Sequence, residues 1–252
     1  MKNLPFGTAE YRQFETTFLA SVIVGMNFPP VQDAVSRKEQ WGKFTRELFS
    51  VQPMEGIFEK PITINRSDNK LGYVFDKGRV QVLIGGDSYQ NYSDSVIPHA
   101  FKLKQFVTDV AGEKVPTQLG IRKIDVFQIE SDNTKPVDED LIRRHFFSKN
   151  YCELKEGRVE TNVEERTFQG MIKHQWKEDA NLLTLRSAFV KVPNTGNLYR
   201  LILDIDEQHA PATGVNLDKL DEILKDMNTD LYNAFIWCVS DEVIKIMKQG
   251  KE

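Results

Sequence analysis

The sequence predicts an α+β protein in which two pseudo-repeated βαβββα units share a curved antiparallel sheet, with helices packed on one face. Three observations carry this. Segments with a hydrophobic period near two alternate with segments whose period is near 3.6. The order strand, helix, three strands, helix occurs twice along the 252 residues. The strands are joined by short turn-forming connectors, which suit antiparallel neighbours. The first unit spans 1–115 and the second 116–252, with one continuous core.

In the first unit, "ETTFLASVIVGMNF" (15–28) is β-branched and aromatic and stops at Pro29-Pro30, which cannot continue a ladder. "VSRKEQWGKFTRELFSV" places Trp41, Phe44, Leu48 and Phe49 on one helical face. "GIFEKPITIN", "KLGYVFD" and "RVQVLIG" read as strands, the last two joined by Asp76-Lys77-Gly78. "SDSVIPHAFKLKQFVTDVAG" is a helix with Phe101, Phe106 and Val110 toward the core, broken by Gly112.

In the second unit, "TQLGIRKIDVFQIES" is a strand. "VDEDLIRRHFFSK" is a short helix with acids in its first turn, where the helix dipole favours them. "ERTFQGMIKHQWKED", "LLTLRSAFVKV" and "LYRLILDIDEQ" are strands. The close, from Asn216 to Gly250, is one long or broken helix with an apolar stripe from Leu217 to Val239.

Composition limits the functional classes. Hydrophobic residues at 40% and charged residues at 28% fit a globular domain rather than a disordered chain. A net charge of −4 argues against non-specific nucleic-acid binding, which needs a basic surface. Cys152 and Cys238 are too few for a disulfide framework and form no CxxC pair. The start has no apolar signal region, and "FLASVIVGMNF" is too short to cross a bilayer. The expectation is a cytoplasmic protein without membrane contact.

Several stretches resemble a sporadically distributed bacterial family of about this length whose activity is uncharacterised. They are "NLPF", "VQVLIGGDSYQNY", "LGIRKIDVFQI", and "LILDIDEQ" followed by "LDKLDEILKDMNTDLYNAFIWCVSDEVIKIM". In that family a strand ending in paired acids precedes a terminal helix. Leu220-Asp221-Glu222, Phe235 and Ser240-Asp241 stand where its helix motifs fall, and Asp221 departs from the family's histidine. The resemblance implies a distribution like that of mobile defence genes.

Among candidate sites, Asp204 and Asp206 share one strand face at roughly 7 Å, a spacing that suits a hard cation or an acid–base pair. His209 would complete a metal set with them. The structural alternative is the polar rim of a one-sided sheet, with the acids holding Arg122 from "GIRKIDVF". "LIGGDSYQNYSDS" reads as a strand-to-helix turn, because no lysine stands at phosphate-loop spacing. Tyr89, Tyr92, Trp176 and Arg122 are the candidate recognition residues. No motif for nucleophilic catalysis is present, and no cofactor is implied. The reading is a non-enzymatic accessory protein acting on a protein partner, possible settings being bacterial defence or toxin immunity. The alternatives are a divalent-metal-dependent phosphoester hydrolase and a small-ligand sensor.

Overall fold

The computed structural model describes residues 4–11, 14–30, 62–65, 70–76, 78–111, 115–131, 137–156, 172–195 and 197–249. Its centre is an eight-stranded, wholly antiparallel sheet in the order β2-β3-β4-β1-β5-β8-β7-β6. The strands are β1 (Leu19–Asn27), β2 (Ile62–Asn65), β3 (Leu71–Asp76), β4 (Arg79–Gly85), β5 (Gln118–Glu130), β6 (Ile172–Glu178), β7 (Asn181–Lys191) and β8 (Leu198–His209). The two halves meet where β1 pairs with β5, from Leu19↔Asp125 to Asn27↔Gln118.

Strict alternation fixes which face is buried. Val22, Val24 and Met26 are buried on β1, and register sets them beside Val80, Val82 and Ile84 on one side. On the other side they meet Leu119 and Ile121 of β5. The same face continues through Leu201, Leu203 and Ile205 to Leu183 and Leu185. A one-residue slip would turn every one of these outward. Burying each such side chain contributes roughly 1.5–3 kcal/mol.

The described helices cover this face. Helix α1 (Ile97–Ala111) tolerates Pro98 because it lies in the first turn. It buries Leu103, Phe106 and Val107, with Phe106 5.0 Å from Phe75. Phe101 is exposed, contrary to the sequence reading, since the stripe that meets the sheet runs through Leu103 instead. Val110 and Gly112 lie outside the residues whose side chains are described.

Helix α2 (Glu139–Phe146) is capped by Asp138, whose side chain accepts from the Leu141 amide at 3.0 Å. It sets Phe146 5.1 Å from Phe127. Helix α3 (Lys149–Glu156) follows after a break at Phe147. The last helical stretch takes the broken form: α4 (Leu220–Cys238) and α5 (Asp241–Gln249) are separated at Val239 and Ser240. On α4, Leu220, Leu224, Met227, Leu231, Ala234 and Cys238 are buried, a spacing of threes and fours.

The expected helix over "VSRKEQWGKFTRELFSV" lies outside the described residues, as do 56–61 of the second expected strand and 165–171 of the strand before β7. With that helix outside, the two units are not matched element for element.

Candidate functional site

No described helix packs on the second face of the sheet, and its residues form cross-strand rows. One row runs Leu83, Ile23, Arg122, Asp206, Thr184, Gln175. The next runs Ser21, Ile124, Asp204, Arg186, Lys173. Val126, Ile202 and Ala188 form a third.

The aspartate pair is held rather than open. Arg122 donates from Nε to Asp204 Oδ1 at 2.7 Å and from its terminal nitrogen to Oδ2 at 2.8 Å, a forked pair. Arg186 donates to Asp204 Oδ2 at 3.1 Å and stands 3.7 Å from Asp206. Asp204 is 6% exposed, whereas the Arg122 side chain keeps 41% of its surface. The hydrogen bond to Asp204 raises the Arg122 pKa against the effect of burial. Burial raises that of Asp206, opposed by a hydrogen bond from Gln208.

An amide ladder extends this network across three strands. Asn27 donates to Gln118 at 2.6 Å, Gln118 to Gln208 at 2.6 Å, and Gln208 to Asp206 at 3.0 Å. Each polar group thus satisfies its neighbour, as a partly buried network must. Around it Ile23, Leu83, Ile124, Val126 and Ile202 are partly buried.

His209 lies on the opposite face from Asp204 and Asp206, because its position in β8 is odd where theirs are even. There it bonds Asn181, Nδ1 to Oδ1, at 2.6 Å. Among the described residues no group of three His, Cys, Asp or Glu side chains could hold a metal ion.

The aromatic candidates also sit on the helix-covered side, away from Arg122. Trp176 packs edge-on against Phe6 at 5.8 Å, and Tyr89 lies beneath the Lys123 ammonium at 5.6 Å. Burial, then the Tyr11 and Asp125 charges, push Tyr89 up to about 12. The Tyr92 hydroxyl is buried without a hydrogen-bond partner.

The turn carrying these tyrosines is built for packing. A Cβ on Gly86 would sit 1.7 Å from the Leu19 carbonyl oxygen, so the position takes only glycine beside the irregularity in β1. Asn91 then caps the short turn Tyr92–Ser95 by accepting from the Asp94 amide at 2.9 Å.

Three charged residues lie on the helix-covered face: Lys123, which sequence reasoning missed, and Asp125 and Glu207, which it noted beside Arg122 and the aspartate pair without placing them there. Lys123 donates to Asn228 on α4 at 2.7 Å, and burial pulls its pKa down to about 8. Burial pushes Asp125 up to about 7, opposed by Lys123. Glu207 is fully buried; burial, then the nearby Asp230 charge, push it up to about 8. Its Oε1 accepts from Asn181 at 3.0 Å, while Oε2 has no partner. Period-two alternation was the signal: positions 123, 125 and 207 share the parity of Ile121, Phe127 and Ile205.

A cleft of about 160 Å³ opens beside α2 and α3, lined by Asp140, Arg143, Arg144, Phe147, Tyr151, Cys152 and Ile172. Arg143 is itself buried, donating to Glu139 at 2.7 Å and Ser187 at 3.0 Å. Behind Tyr151 lies His174, buried, with both ring nitrogens lacking a partner; burial lowers its pKa. Cys152 is partly buried and Cys238 buried, both as free thiols. No helix among the described residues is long and apolar enough to cross a membrane. No family model matches the chain, and no curated protein matches it.

Proposed function

We propose that this chain is a non-enzymatic accessory protein that recognises a protein partner through the sheet face that no described helix covers. The observation that carries the reading is the state of the two aspartates. Three of their four oxygens accept from Arg122, Arg186 and Gln208, which builds a firm polar platform among partly buried aliphatic residues. Interfaces commonly combine an apolar centre with satisfied polar groups. Membership of the sporadically distributed bacterial family, and with it a defence or toxin-immunity setting, belongs to the same proposal. So does the duplicated architecture, for which the order β2-β3-β4-β1 followed by β5-β8-β7-β6 offers support.

A photo-crosslinking residue at Ile124, compared with one at exposed Glu222 on α4, tests the reading in the native host. A discrete protein adduct from Ile124 alone is expected. Adducts from neither position, or from Glu222 alone, would overturn it.

A second reading, a small-ligand sensor, is favoured by the Arg143 cleft and the unpartnered His174 ring behind it. Native mass spectrometry of gently purified protein tests it: a bound small molecule lost in Arg143→Ala supports a sensor, and bare protein mass removes it.

A further inference from the structure

The charge of the molecule is unevenly divided between its two sides. Register places Arg79, Lys173, Lys177 and Arg200 on the helix-free face, all exposed. None of the four side chains makes a hydrogen bond or ion pair among the described residues. Glu130 is the exposed carboxylate that the described side chains of the strands place there, since Asp204 and Asp206 are neutralised by arginines. The helical layer carries both signs: Asp218, Asp221, Glu222, Asp226, Asp241 and Glu242 are exposed on its last two helices and the turn leading into them, beside Lys219, Lys225, Lys245 and Lys248.

We infer that the partner of the sheet face is an acidic protein segment presenting carboxylates around an apolar centre, an inference that rests on the binding-face reading above. The cations stand at the rim: Arg79 on β4, Lys173 and Lys177 on the edge strand β6, and Arg200 near the start of β8. The partly buried Leu83, Ile23, Ile124 and Ile202 lie between them, around the satisfied Arg122–Asp204–Arg186 network, so a complementary partner sets apolar groups inside a rim of acids.

A nucleic acid fits less well. Among the described residues the register puts no aromatic side chain on this face for base stacking, and the cations form a ring rather than a stripe along a phosphate backbone.

Fluorescence anisotropy with three labelled probes tests the inference on the full chain: a peptide of glutamate pairs interspersed with leucines, an all-glutamate peptide, and a single-stranded oligonucleotide. The glutamate–leucine peptide should bind saturably and most tightly. Its affinity should fall about tenfold or more in Lys173→Glu/Lys177→Glu/Arg200→Glu and less in the matching glutamine variant, whose melting shows that the fold is intact. Tighter binding of the oligonucleotide would make nucleic acid the occupant and overturn the inference. So would unchanged peptide affinity in the reversal variant, or no peptide binding at all. If Ile124 still crosslinks a partner in the reversal variant, the face binds protein but not through acids. Loss of the Ile124 adduct in the unmodified chain sinks the binding face itself.

Discussion

Arg122 shows how much one side chain depends on its strand neighbour. It sits in an apolar strand, which requires an acceptor, and β8 supplies Asp204 with forked geometry. Asp204→Ala should cost about 2–3 kcal/mol, because two guanidinium groups lose a nearly buried acceptor. Arg122→Ala should cost about 1 kcal/mol, since Arg122 is part exposed and Arg186 still holds the carboxylate. Urea unfolding of the two variants reads this asymmetry, and equal losses would mean that Asp204 is not the hub. Glu207 gives a second expectation. Its folded pKa lies near 8, above the ordinary 4.5. The native state therefore keeps the proton longer than the unfolded chain does. The contribution is full below pH 4.5 and is lost as pH rises through 8. Glu207→Gln should flatten the fall in melting temperature between those limits, and an unchanged profile would show that Glu207 is not the group responsible.

At the scale of elements, the two broken helix pairs lock each other. The amide of Ser148 donates to Cys238 and that of Ser240 to Phe146, at 2.7 and 2.9 Å, forming an antiparallel bridge between Phe147 and Val239. Each serine hydroxyl also donates to a carbonyl of the other pair, Ser148 to Trp237 and Ser240 to His145, both at 2.6 Å. Each further accepts an amide of its own following helix, from Tyr151 and Val243. Ser148→Ala and Ser240→Ala should each cost about 1–2 kcal/mol, with the double variant departing from additivity because both serve one junction. Thermal melts of the three proteins measure this, and strict additivity would mean the serines act only as separate caps. Much of this level was legible in sequence. The β1 and β8 alternations, the pairing of β3 with β4 and the acid-led α2 all stand where local patterning placed them. The break in α3's approach was not legible, since Phe147 could continue a helix and only pairing with Val239 takes it out.

Across the whole molecule, one hydrophobic cluster runs from Tyr73 and Phe75 through Ile121 to Leu183 and Leu185, so both halves share their core. Calorimetry should therefore show one transition whose calorimetric and van't Hoff enthalpies agree, and two resolved transitions would separate the halves energetically. The sequence by itself determined the α+β class, most strand positions and the pairing of faces within each strand, because side-chain period is a local property of the backbone. Tertiary structure alone decided which strands are neighbours, since antiparallel register between β1 and β5 is a long-range choice. The β5–β8 register likewise brings Asp204 to Arg122, and packing places Tyr89 and Trp176 under the helices, whereas the separation of His209 from the aspartates follows from strand parity alone. Strand parity tells which side chains share a face; only the packed sheet tells which face the described helices cover.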